Sequence, residues 1–158
     1  MPSFFCLKMK SMKHKIAELE VKYTPNKYKG EIEKITNSNE AYQLILESWN
    51  KETIELFEEF KLVMLNNSNE VLGVWTMGKG GMTGVVVDIK LLFSVALKSC
   101  ATGIITVHNH PSGSLKPSLA DKNMYTKIKE AAILLDIKYL DNLIITSKGK
   151  YSFVDEGE

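Results

Sequence analysis

The chain has 158 residues, 44% of them hydrophobic and 25% charged, the balance of one folded globular domain, which excludes a disordered, collagen-like or membrane-spanning chain. Twenty basic residues against nineteen acidic ones leave a net charge of +1, and every basic residue is Lys, so neither the excess charge of a polyphosphate-binding domain nor the guanidinium fork that reads guanine edges is present. Cys6 and Cys100 lie far apart, with Cys100 in an apolar helical stretch, and no signal segment or apolar run of ~20 residues occurs; the expectation is a reduced, cytoplasmic protein without membrane attachment.

In chain order, residues 1–15 are rich in Met and Lys without periodicity and read as a flexible leader. Ile16–Tyr23 alternates Ala17, Leu19, Val21 and Tyr23 with Glu18, Glu20 and Lys22, the pattern of a half-buried strand. A polar loop over Thr24–Thr36 precedes Asn37, which with Glu40 resembles a capping box; Ala41, Leu44, Ile45 and Trp49 then recur at helical spacing, predicting a helix that ends near Asn50. Phe60–Leu65 and Val71–Met77, separated by Asn66, Asn67, Ser68 and Asn69, predict an antiparallel hairpin. Asp88 can cap a helix carrying Leu91, Leu92, Val95, Ala96 and Leu97, and Gly103–Val107 reads as a buried strand, which suggests an α/β sandwich. Ser118 opens the longest helix, with Met124, Ile128, Ala131 and Leu135 on one face. Leu143–Thr146 and Tyr151–Val154 are the last strands, around a turn at Lys148, Gly149 and Lys150.

The chemistry concentrates in Val107-His108-Asn109-His110-Pro111-Ser112-Gly113 and in Pro117-Ser118-Leu119-Ala120-Asp121. Two of the chain's three histidines lie here. Residues two apart at the end of a strand point to one side, so His108 and His110 can aim ring nitrogens at one point; Pro111 stops the strand and Gly113 permits the reversal that returns Asp121 toward them. Two imidazoles and a carboxylate suit Zn²⁺ and leave a fourth position for water, whose pKa such an ion lowers to roughly 7, and this points to hydrolysis. Ser118 and Asp121 also form a Ser-x-x-Asp helix cap, and that is the commoner use of such a pair.

His108-Asn109-His110-Pro111, with seven residues between His110 and Ser118, and then Asp121, resembles the JAMM motif of the MPN superfamily as RadC-like proteins carry it. The resemblance extends from about Ile54 to Glu158, through Glu58-Glu59-Phe60, Gly80-Gly81 to Asp88, Ala96-Leu97, Leu135-Asp136-Ile137 and Tyr151-Ser152-Phe153, so residues 54–158 are read as the metal-binding domain and 16–53 as an N-terminal extension. The length is similar to that of stand-alone RadC-like proteins of bacterial mobile elements; larger relatives carry a helix-hairpin-helix region, which is not expected here. The resemblance implies a cytidine-deaminase-like α/β sandwich with a mixed central sheet flanked by helices, zinc held by His108, His110 and Asp121, and isopeptidase-type hydrolysis of a protein or peptide-like substrate. It also implies that Ser118 steadies the tetrahedral intermediate and that an upstream glutamate relays the proton. Glu58 is the choice, with Glu59 the alternative on the opposite side of a strand. Lys90 and Asn142 depart from the family, which often has Arg and His there.

The rival reading keeps fold and metal but makes the domain a binding module for DNA repair or mobile-element processing, which the absence of Arg weakens. A zinc deaminase is disfavoured because His-x-Glu and Pro-Cys-x-x-Cys are missing. The glycine-rich run at 78–84 lacks the order of a phosphate loop and reads as a loop between two strands. Ser112 has no free histidine to activate it, His14 reads as solvated, Lys122, Lys127 and Lys129 read as a solvated helix face, and Trp49 and Trp75 as core.

Overall fold

Alternating apolar residues on the central strands feed two hydrophobic layers, one on each face of a single sheet. The computed structural model describes residues 33–158 apart from 82, 83 and 85. The expected leader, the strand at Ile16–Tyr23, Cys6 and His14 lie outside the described residues. Five strands, β1 (Glu59–Leu65), β2 (Val71–Lys79), β3 (Gly103–Asn109), β4 (Lys138–Thr146) and β5 (Gly149–Ser152), and three helices, α1 (Ser38–Glu47), α2 (Ile89–Lys98) and α3 (Leu119–Leu134), make up the described fold. The strand order is β2-β1-β3-β4-β5. β3 and β4 are parallel, joined by α3 as a crossover, and the other neighbours are antiparallel.

On β1, Val63 and Leu65 face α1, where Ala41 and Ile45 pack with Trp49, Ile54, Ile105 and Val107. Phe60, Leu62 and Met64 face the other way, onto Leu92, Phe93 and Ala96 of α2 and Ile128 and Ala132 of α3. Fully buried residues such as Leu62, Leu65 and Ile104 each contribute about 1.5–3 kcal/mol of hydrophobic stabilisation. The architecture is the expected α/β sandwich: a mixed sheet flanked by helices.

Several local expectations are corrected. α1 closes at Glu47, and its capping box is half made: Asn37 Oδ1 accepts from the Glu40 amide at 2.9 Å, but the Glu40 carboxylate turns back to the amide and hydroxyl of Thr36. Cys100 is exposed and lies beyond the α2 cap Ser99, at φ 55°. The run at 78–84 begins inside β2, which includes Gly78 and Lys79, and the next described element after it is α2 rather than a second strand. β4 starts at Lys138, five residues before the apolar run, because Asp141 and Asn142 are buried polar residues that hide the strand pattern. β5 is Gly149–Ser152, so the reversal falls at Ser147 and Lys148 and Val154 lies beyond the strand. On α3 the buried residues are Tyr125, Ile128 and Ala132; Met124 and Ala131 pack at the margin of the core, and Leu135 is 40% exposed past the helix end. Trp49 is buried and Trp75 half-buried against the core.

Candidate metal centre

β3 carries His108 to the mouth of the sheet and the chain leaves it at His110, whose backbone N–H still donates to Ile145 O on β4 at 3.1 Å. Period-two alternation sends both rings to the α2 and α3 side. The turn that follows closes through Gly113 N–H to His110 O at 3.0 Å, with Gly113 at φ 77°, a conformation that glycine adopts without strain. Ser118 then caps α3: its Oγ accepts from the Asp121 amide at 3.2 Å, and Asp121 Oδ2 accepts from the Ser118 amide at 2.6 Å. This completed capping box fixes the Asp121 carboxylate in the first turn of α3 and turns it toward the histidines.

The result is a compact donor set. His108 Nε2 lies 3.2 Å from His110 Nε2, 3.1 Å from Asp121 Oδ1, and His110 Nε2 lies 3.5 Å from Asp121 Oδ2; one ligand atom from each residue falls within 4.8 Å of the others. His110 Nδ1 stands 2.7 Å from Ser114 O. A carbonyl only accepts, so Nδ1 bears a proton, and in the neutral ring the Nε2 lone pair faces His108 and Asp121, whereas the protonated ring donates from Nε2 to the Asp121 carboxylate. The His108 ring is held against Phe60, its antiparallel register partner, with centroids 6.0 Å apart and planes 11° from parallel. These residues fit a divalent cation: two neutral imidazole nitrogens and a carboxylate oxygen converge, and only a shared proton or a cation between them relieves the crowding of lone pairs.

The electrostatics agree. Burial works to raise the Asp121 carboxyl, but hydrogen bonds from His108, His110 and Ser118 overcome it and hold the group far below the usual carboxylate range. Asp121 in turn raises His110, against the effect of burial. Glu58 is shifted upward, first by burial and then by the Asp121 charge, while the two histidines pull it down.

Glu58 immediately precedes β1 and lines a cleft of about 380 Å³ together with His108, His110, Ser112, Ser118, Asp121 and Asn142. Its backbone is pinned, with N–H donating to Gly81 O at 3.1 Å and C=O accepting from Gly80 N–H at 2.7 Å. Glu59 goes to the other face, buried, with Oε1 3.4 Å from Lys79 Nζ. The structure thus brings Glu58, Ser118 and the three donor residues to one cleft and leaves Glu59 out of it. Ser112 lines the rim, and Lys122 pairs with Glu158 while Lys129 lies 5.1 Å over the Tyr125 ring.

Two asparagines gain weight that the sequence alone does not give them. Asn142 is buried beside the cleft and its Oδ1 accepts from Thr106 Oγ1 at 2.7 Å, while Thr106 also meets the Tyr139 hydroxyl. Tyr139 is enclosed and burial drives its phenol upward, so it stays protonated and donates to Thr106; the Thr106 proton then goes to Asn142 Oδ1, which leaves the amide nitrogen as the donor available to the cleft. The signal for Asn142 is a polar residue within an apolar β pattern. Asn109, between the two histidines, points to the opposite face and is fully buried with every polar atom bonded.

The sequence matches the RadC-like JAB domain family over residues 35–158. It is 47% identical over 126 residues to a UPF0758 protein of Flavobacterium johnsoniae, covering 80% of this chain and 54% of that one. It is 35% identical over 132 residues to a UPF0758 protein of Porphyromonas gingivalis, covering 79% and 54%, and 37% identical over 100 residues to a UPF0758 protein of Caldanaerobacter subterraneus, covering 63% and 43%. The chain spans about half the length of the curated relatives it matches. With its family match running through nearly all of the described fold, and a His-His-Asp group able to hold a metal ion, the chain belongs to the RadC-like JAB domain family of MPN proteins.

Proposed function

We propose that this protein is a zinc-dependent hydrolase of amide or isopeptide bonds. The observation that carries the reading is the convergence of His108, His110 and Asp121 at 3.1–3.5 Å beside a half-buried Glu58, whose carboxylate has no ion-pair or hydrogen-bond partner among the described residues, in an open cleft. His108 Nε2, His110 Nε2 and one Asp121 oxygen would hold the ion. A bound divalent cation supplies Lewis acidity toward a carbonyl and toward water. Glu58, raised by burial, is suited to take a proton from the attacking water and return it to the leaving amine. Ser118 uses its Oγ lone pair for the Asp121 amide, so its hydroxyl proton is free to donate to the developing oxyanion. Asn142 offers a further amide donor at the cleft wall.

A protein or peptide-like substrate fits this chemistry better than nucleic acid, because the chain has no Arg. No helix among the described residues is long and apolar enough to cross a membrane; Cys100, exposed and without a disulfide partner among the described residues, accords with work in the reducing cytoplasm. The test is a panel of peptide amides and isopeptide-linked lysines, assayed with zinc-loaded wild type and Glu58→Gln. Cleavage by wild type that disappears in the variant, with zinc still bound, is the expected result. Stoichiometric zinc, no cleavage of any member, and salt-sensitive binding of DNA would favour the binding module instead.

A further inference from the structure

We propose that Asn109 is the positioning residue for Glu58, tying the strand that supplies the histidines to the segment that supplies the proton acceptor. The inference rests on the reading of Glu58 given above. Asn109 is 0% exposed, and its carboxamide spends all of its bonding on one stretch of chain. Oδ1 accepts from the Glu59 amide at 2.7 Å, and Nδ2 donates to Ile54 O at 2.7 Å and to Phe57 O at 2.9 Å.

These contacts bracket Glu58 on both sides. The stretch before β1 is a series of turns in which Leu56 and Phe57 bond back to Thr53; the amide of Glu58, which a continuing helix would direct to Ile54 O, goes instead to Gly81 O. Ile54 O and Phe57 O are therefore acceptors that a buried donor must satisfy, and Asn109 is that donor. A carboxamide is suited to the task, since it offers one acceptor and two N–H donors at a fixed spacing. Asp lacks both donors, and Ser reaches one partner at most.

Alternation on β3 then gives the arrangement its purpose. His108 and His110 leave one face toward the cleft and Asn109 leaves the other, so a single three-residue unit sets two donor rings and, through the sheet edge, the place of Glu58. The β1–β3 register pairs Phe60 with His108; continued outward by two residues it sets Glu58 across from His110. Asn109 holds the residues flanking Glu58 in that continuation where ladder pairing has ended, while Gly80 and Gly81 hold its own backbone from the other side.

The test uses the full chain loaded with cobalt(II), whose visible spectrum reports the coordination and charge of the centre without any substrate. Glu58→Gln removes a negative charge near the ion and lowers the pH midpoint of the cobalt spectrum by about one unit. Asn109→Ser keeps cobalt at the wild-type stoichiometry and lowers the midpoint in the same direction, and the double variant moves no further than Glu58→Gln alone. A wild-type midpoint in Asn109→Ser, with Glu58→Gln shifted, overturns the role of Asn109 and leaves Glu58 in place. An unshifted Glu58→Gln instead removes the reading of Glu58 itself. If Asn109→Ser does not fold, Asn109→Gln, which retains the amide but displaces it by one methylene, is judged by the same midpoints; unfolding of both, or folded variants that lose cobalt, assigns Asn109 to the fold or to the histidines and overturns the proposal.

Discussion

The two faces of the β1 and β3 ends offer a comparison between near-identical residues with different fates. On the cleft face stand Glu58, His108 and His110, half-buried to buried, the two rings converging on each other and on Asp121 while Glu58 lines the same cleft. On the opposite face stand the buried Glu59, Lys61 and Asn109, tied to other partners: Glu59 Oε1 sits 3.4 Å from Lys79 Nζ without a hydrogen bond among the described residues, Lys61 donates to Ser48 O at 3.2 Å and lies 4.1 Å over Trp49, and Asn109 is bonded three ways. Burial alone therefore does not mark the face proposed to hold the metal. The cleft face has donors crowded together with lone pairs unspent, whereas the opposite face has pairs that neutralise one another and join β1 to the end of α1.

The largest effect separating the faces is expected at the two glutamates. Glu58→Gln should lower turnover by about 10²–10⁴-fold, the size of a lost general acid and base, whereas Glu59→Gln should leave turnover within about twofold; steady-state rates of the zinc-loaded proteins check this, and equal losses would dissolve the distinction.

A second expectation concerns pH. The His110 pKa lies above its ordinary 6.5 in the metal-free chain, chiefly because of Asp121, so this pairing stabilises the metal-free fold fully below the unfolded value and is lost as pH rises through the folded one. Zinc needs the neutral ring, so its affinity should rise with pH across that window by about tenfold per unit for one displaced proton. Thermal melts with and without zinc at pH 6 and pH 8 should show the larger zinc-induced rise at pH 8; an equal rise would exclude protonated His110 as the competitor.

The smallest effects belong to the opposite face. Burial lowers the Lys61 pKa, partly offset by Glu59, and Lys61→Met should change stability by only about 1 kcal/mol in either direction, because the desolvation of the cation and its pairing largely cancel. Chemical denaturation with an unchanged m-value measures this; a loss several times larger would show that the Glu59, Lys61 and Lys79 group is a stabilising network in its own right.

Much of this was readable from the chain. Apolar runs on β1 and β3 and the spacing of Leu92 and Ala96 on α2 carry their period openly, and the spacing of His108, His110, Ser118 and Asp121 needs only strand alternation and a turn to bring them together. Where the sequence was mute, buried polar residues were the reason. Asp141 and Asn142 interrupt the apolar run of β4, yet Asp141 is satisfied by Ser152 Oγ, Val154 N and Asn142 N, partners set only by the fold. Asn109 is likewise indistinguishable from a loop asparagine until the turns at 50–58 are seen to leave carbonyls that need a donor.

The most direct measurement is the metal content of purified wild type beside His110→Ala, by mass spectrometry. Near-stoichiometric zinc in wild type that falls to a trace in the variant, with both chains folded, is the predicted result. A folded wild type that neither carries zinc nor takes it up when loaded would contradict the account of the cleft as a metal centre.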